Sequence, residues 1–311
     1  MEDKIFKSYS DLISLLSERG IDSLSTDAQY AENILKQVGY YNLINGYSKL
    51  FLDNSNHNKY IDGTKIGEIN ALYQFDRVLR SIFFQYILKV ESHIKSLISY
   101  SFSEKYGHSN YLLYTNFNTM SKDNPSQITK LISGIQRQIA ERCSDPSISH
   151  YLRKHGYVPL WVLNNILTLG TVSKFYSLMK QPERQEVSKN FKIMDNELEN
   201  ALRYLSPIRN FCAHGNRLYC YRTKNPLINT RYHSSLNIIT DSNGEYSLGK
   251  RDLFAAMIVL KRLLSKNDYK RLSKDVNNSL KNLEKKLMIL DIDLILKEMG
   301  FPRNWCDLID M

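Results

Sequence analysis

A chain of 311 residues with a formal net charge of +10 can bury a substantial core and suits a polyanionic partner such as nucleic acid. Its longest apolar run, Leu253 to Leu260, falls far short of the ~20 residues a membrane-spanning helix needs, and the opening stretch MEDKIFKSYSDL lacks the apolar centre of a secretion signal. The four cysteines, Cys143, Cys212, Cys220 and Cys306, form no C-x-x-C pair, so the expectation is a soluble, cytoplasmic protein with free thiols and no membrane partner.

Helical periodicity dominates the chain. YSDLISLLSERG puts Leu12, Leu15 and Leu16 on one face, with Ser10 as N-cap and Gly20 as stop. STDAQYAENILKQVG repeats the pattern, capped by Ser25 or Thr26 and ended by Gly39. YYNLINGYSKLF carries Gly46, which weakens a helix there, and residues 53–64 read as loop. From about Ile66 to Ser101, Leu72, Phe75, Leu79, Ile82, Phe83, Tyr86, Val90, Ile94 and Leu97 recur at steps of three and four, which predicts one long amphipathic helix. Residues 103–125 read as loop, a helix follows from about Pro125 to Arg142, and SDPSISH interrupts the chain. Two helices meet near Gly170, another starts at Pro182, and Asp195 to His214 is helical, with Pro207 kinking it or opening its last turns. Between Pro226 and Lys250, β-branched residues before an Asn-Gly turn predict a small β-hairpin insertion. Helices then resume to the end. With no repeat and no long linker, the expected fold is all-α. It is a single helical bundle over residues 1–311, with an N-terminal segment 1–65, a core 66–222, the insertion 223–250 and C-terminal helices 251–311.

Several chemistries lack their signature. There is no Gly-rich phosphate loop, G-x-G-x-x-G, H-E-x-x-H or G-x-S-x-G, and no histidine–cysteine set at metal-ligand spacing. His150 and His155 read as surface histidines. Neither a metal nor a cofactor is expected. What the sequence does offer is LSPIRNFCAHGNRLYCYR, residues 205–222. Arg209, Asn210 and His214 fall within six residues of a helix that Gly215 ends. Asn210 and His214 share a face. Arg209 lies roughly 140° round from His214 on an ideal helix but can reach on its long stem. A histidine able to move protons beside a permanent cation suits a phosphodiester, and so does a polar cluster at a helix end with no chemistry. The segment that follows interleaves Arg217, Arg222 and Lys224 with Tyr219 and Tyr221, a mix that can hold an RNA strand by stacking and charge, or form a half-buried tyrosine stripe. On the long helix, Asp76 falls inside the apolar stripe and Arg80 and Glu91 along its edge. A carboxylate at a core margin needs a cation, and Arg80 and Arg209 both qualify.

GYYNLINGYSKLF (39–51), YQFDRVLRSIFFQYILKVESHIKS (73–96), PLWVLNNILTLGTVSKFYSLM (159–179), LSPIRNFCAHGNRLY (205–219) and the ending MGFPRNWCDL occur in the order seen in Abi-like proteins. In these motifs the chain resembles the AbiD/AbiF-type abortive-infection proteins, which are placed in the all-helical HEPN superfamily. The resemblance leaves out the first twenty or so residues and 226–250. It implies that Arg209 and His214 form the R-x(4–6)-H motif, with Asn210 as its polar companion, of a metal-independent endoribonuclease. Such an enzyme works as a homodimer with two motifs facing one cleft and cuts RNA in phage defence. On that reading His214 is general base or acid, Arg209 stabilises the phosphorane, and Asn210 orients the histidine or binds phosphate, with Asp76, Arg80 and Glu91 behind them. Inactive relatives bind RNA or protein, so the resemblance also implies an alternative, a non-catalytic module holding a structured non-coding RNA. A helical scaffold without nucleic acid is a third reading, which the charge disfavours.

Overall fold

The computed structural model describes residues 5–22, 28–120 and 123–311, which hold thirteen α-helices and no β-strand. Helix α1 (Tyr9–Glu18) is capped two residues before the expected position. Ser8, not Ser10, accepts the Asp11 N–H, and Asp11 returns a bond to the Ser8 backbone in a capping box. Helix α2 (Ala28–Val38) ends before Gly39; its expected caps, Ser25 and Thr26, lie outside the described residues. The next segment is neither helix nor free loop. Tyr41–Asn45 winds as a π-turn and Lys49–Phe51 as a 3-10 turn, with Leu43, Ile44, Tyr47 and Phe51 buried between them.

Helix α3 (Ile66–Tyr106) is the axis of the molecule, 41 residues long. It runs beyond Ser101 because Phe102 continues its buried face, and it stops at Gly107. Helices α4 (Asn124–Glu141), α5 (Pro146–His155), α6 (Leu160–Leu163), α7 (Leu169–Leu178) and α8 (Gln181–Lys189) follow. The SDPSISH stretch starts α5 rather than interrupting the chain. Asp145 caps the Ser147 N–H at 2.9 Å, and Pro146 takes the first helical position, where its missing N–H costs nothing. Helix α9 (Asp195–Ala213) packs along α3 and keeps Pro207 inside it.

The insertion departs from the expected β-hairpin. It holds a short helix, α10 (Arg231–Ser235), and a tight turn at Asp241–Gly244 closed by one antiparallel bridge, Thr240–Tyr246. An isolated strand pair is marginal in water, and here Tyr232, Leu236 and Ile238 bury themselves in the helical core instead of facing a sheet. Helix α11 (Leu253–Leu263) is buried all round from Leu253 to Leu260, as its unbroken apolar run requires. Each large side chain contributes about 1.5–3 kcal/mol on leaving water. Helix α12 (Lys266–Glu284) lies along α3, and α13 (Ile292–Met299) and a 3-10 turn at Trp305–Ile309 close the chain. No helix among the described residues is long and apolar enough to cross a membrane.

Candidate functional site

The site grows from the end of α9. His214 is the C-cap residue, and its N–H donates to the Asn210 carbonyl at 2.9 Å. Gly215 then takes φ +73°, a left-handed conformation that a β-carbon would strain, and the Asn216 N–H closes on the Phe211 carbonyl at 3.1 Å. This sharp stop turns His214 outward. Its ring is exposed and makes no hydrogen bond or ion pair within the described residues. The Asn210 side chain is likewise exposed and unbonded.

Helix α9 and the turn after it run antiparallel to α3. Arg209 meets Glu91, Asn216 meets Arg80, and Leu218 and Tyr219 meet Asp76. Arg209 Nε donates to Glu91 Oε2 at 3.2 Å, and its guanidinium lies over the Phe84 ring, 5.5 Å from the centroid. Glu91 also takes Lys95 Nζ at 2.7 Å, so one buried carboxylate sits between two cations. The two terminal nitrogens of Arg209 have no partner among the described residues.

Asp76 is fully buried and its acceptors are filled. Oδ1 takes the N–H groups of Leu218 at 3.0 Å and Tyr219 at 2.7 Å. Oδ2 takes the Tyr47 hydroxyl at 2.7 Å and the Arg80 guanidinium. Burial pushes the carboxyl upward in pKa, opposed by Arg80 and the three other donors. The result is a clamp that fixes the chain beyond His214 onto α3. Arg80 completes it by reaching the Asn216 carbonyl at 3.3 Å.

A cavity of about 490 Å³ opens between the 41–47 segment and the turn 214–217. His214, Arg80 and Arg217 supply cations or protons to its lining, and no carboxylate among the described residues lines it. Arg217 also ties the two walls together, donating to the Gly46 carbonyl at 2.7 Å. Arg209 does not line this cavity. The structure therefore brings His214 together with Arg80, and Arg209 together with Glu91, along one face of α3.

The expected RNA-stacking tyrosines are a correction. Tyr219 and Tyr221 are each 3 % exposed. Tyr219 stacks on Tyr47 at 5.8 Å and Tyr221 meets Phe211 edge-on at 5.0 Å, so neither ring can meet a base. They are buried because the chain turns at Leu218–Tyr221, where the Tyr221 N–H closes on the Leu218 carbonyl at 3.0 Å, and packs both rings inward, which a sequence cannot tell from an exposed strip. Arg222 is exposed but is used as a brace to the Tyr221 and Glu298 carbonyls, both at 2.9 Å. Lys224 is exposed and away from the cavity. Cys212, inside the motif, is no nucleophile, since burial pushes its thiol up to about 12. No cluster of three metal-ligating side chains occurs among the described residues. Sequence reasoning missed Tyr41, Asn42, Asn45 and Tyr47. Only the GYYNLINGYSKLF motif signalled them, and its mixed periodicity hid which residues face out.

Fold and site together define a helical protein with a cationic cavity rimmed by a helix-end histidine. The profile of the Abi-like protein family matches residues 33–220, more than half of the chain, and the chain belongs to that family. The match spans the 41–47 segment, α3 and the turn after α9. Family membership points to abortive infection, a form of defence against phage. No curated protein and no solved structure matches the chain.

Proposed function

We propose that the protein is a HEPN-type endoribonuclease of AbiD/AbiF type, which cuts RNA in the cytoplasm of an infected cell. The observation that carries this reading is His214 itself. It is a histidine presented at a helix stop with a ring free of protein partners, on the rim of a cavity whose charged lining is wholly cationic. An RNA phosphate there has its own nucleophile, the neighbouring 2′-hydroxyl. His214 removes the proton from that hydroxyl or protonates the leaving 5′-oxygen. Arg209, held at Nε by Glu91, offers its two free terminal nitrogens to the phosphoryl oxygens as charge builds. Asn210 orients the ring or binds phosphate.

In-line attack needs proton removal on one side of phosphorus and proton delivery on the other. One His214 cannot easily face both. A two-fold homodimer supplies the second His214, and also a second Arg209 for a cavity that its own Arg209 does not line. The products are 2′,3′-cyclic phosphate or 3′-phosphate ends, and cleavage persists in EDTA because the 2′-hydroxyl route uses only these groups. The test is cleavage of single-stranded RNA by the wild type and by His214→Ala, with end-group analysis and gel filtration. Products bearing 5′-phosphates, or full activity as a monomer, overturn the reading.

One observation favours a second reading. Within a single chain Arg209 is paired with Glu91 and lies apart from the His214 cavity. A non-catalytic module that holds a structured RNA needs no closer approach. It would co-purify with RNase-sensitive material absorbing at 260 nm and cut nothing.

A further inference from the structure

We infer that the cavity between the 41–47 segment and the turn 214–217 is a nucleotide subsite, in which Arg80 takes the phosphate and Tyr41 and Asn45 take the base. The inference rests on the ribonuclease reading for the identity of the polymer, but its residues lie outside the Arg209–His214 motif.

Arg80 is the anchor. Its side chain is nine-tenths buried, and Nη1 alone serves Asp76, Tyr47 and Asn216. Asp76 cannot accept more, because two backbone N–H groups, a hydroxyl and this guanidinium already fill it. The Nε and Nη2 groups of Arg80 have no acceptor among the described residues, and Arg80 lines the cavity. A guanidinium that keeps two donors beyond its own carboxylate, and faces a space lined by no carboxylate among the described residues, is placed to take an external anion as well. The Asp76 clamp also fixes that guanidinium before any ligand arrives, so little is lost in ordering it.

The walls suit the rest of a nucleotide. Tyr41 is 73 % exposed on the rim, and its ring meets no other ring or cation among the described residues. Asn45 is exposed with an unbonded amide that offers both a donor and an acceptor, as a base edge does. Arg217 lies on the far wall, ready for a neighbouring phosphate. The volume, about 490 Å³, is within the range of small-molecule sites. His214 stands on the same rim, so a nucleotide seated on Arg80 brings its phosphodiester to the histidine.

The test uses the full-length protein and a short, fluorescein-labelled, mixed-sequence oligoribonucleotide methylated at every 2′-oxygen, which removes the internal nucleophile. Binding is read by anisotropy over a salt series, and cleavage is read separately on unmodified RNA. Tyr41→Ala and Asn45→Ala change exposed side chains and keep the fold. Tyr41→Ala is expected to weaken binding about tenfold, as loss of one base stack does. Arg80→Gln is expected to weaken it more and to lower the salt slope by about one. Because Arg80→Gln also strips Asp76 of its cation, its melting temperature is measured alongside, and the two surface variants carry the decision if it fails to fold. Wild-type affinity in both surface variants overturns the subsite, even where the wild type cuts RNA and the ribonuclease reading stands. Lost binding in those variants, with no cleavage by the wild type, keeps the subsite and removes the ribonuclease. A wild type that does not bind the probe overturns the subsite outright.

Discussion

Two buried aspartates do the same structural task in different company. Asp76 on α3 accepts the backbone N–H groups of Leu218 and Tyr219, and Asp252 before α11 accepts those of Gly249 and Ala255. Each thereby fixes a turn to a helix. Asp76 also holds a guanidinium that opens onto a cavity. Among the described residues Asp252 has only backbone hydrogen-bond donors, and Gly300 packs on it so closely that a β-carbon there would lie 2.2 Å from its Cγ. Burial consequently pushes the Asp252 carboxyl up to about 6, against the pull of its backbone bonds. The difference separates a joint from a site. A joint spends every polar group on the chain itself, whereas a site leaves donors over. Arg80 and Arg209 each keep two nitrogens without a partner among the described residues, and His214 keeps its whole ring.

The sharpest way to break that comparison is at His214. If the leftover groups do chemistry, His214→Ala lowers RNA cleavage by about 10²–10⁴. The ring is exposed and unbonded, so the melting temperature stays near that of the wild type. Asn243→Ala, in the exposed turn that precedes the other aspartate, leaves the cleavage rate unchanged. Equal rates in wild type and His214→Ala would make the motif a helix end and nothing more.

The second test is at Asp76. Asp76→Ala leaves Arg80 as a buried, unpaired cation and frees two N–H groups, a loss of about 3–5 kcal/mol in urea unfolding. A loss below about 1 kcal/mol would mean that the clamp does not hold the turn. At the joint, Gly300→Ala demands both a left-handed β-carbon and displacement of Asp252, and is expected to cost about 2–4 kcal/mol by the same measurement. A silent Gly300→Ala would show that the Asp252 turn yields easily.

How much of this was legible in the sequence differs between the two regions for a physical reason. The long helix and α9 announce themselves, because their apolar residues recur at helical spacing and the Arg209–His214 motif sits just before a glycine stop. The placement of Asp76 inside the apolar stripe of α3, and of Arg80 and Glu91 along its edge, was also readable by projection at 100° per residue. Asp76 with Arg80 was readable as a pair four residues apart on one helix, whereas Arg209 with Glu91 was not, since that contact depends on the antiparallel register of α9 on α3, a tertiary fact. Tyr219 and Tyr221 misled because a turn packed into the core has the composition of an exposed one. The 41–47 wall was hidden because a π-turn follows neither the 3.6 nor the 2.0 period. The insertion carried a true turn signal at Asn243-Gly244, but a turn does not make a sheet when its flanks have helices to pack on.

The smallest expected effect, and the most specific to the comparison, is Asp252→Asn. An amide caps a helix about as well as a carboxylate, so the bond to the Ala255 N–H survives, and no cation loses its partner. At pH 7 the cost in urea unfolding is expected to be under about 1 kcal/mol, well short of the loss at Asp76. The pH dependence carries the sign. The folded carboxyl titrates near 6 and the unfolded one near 3.9, so between those values the native state binds more protons than the unfolded state. Stability from this group is therefore present at low pH and is lost as pH rises through 6, by roughly 2–3 kcal/mol in all. Asp252→Asn has no proton to lose. Wild type minus variant, measured from pH 4 to pH 7, isolates that slope from the other carboxylates. Parallel curves across the range would mean that Asp252 is ionised throughout, and that its backbone bonds alone match what Arg80 does for Asp76.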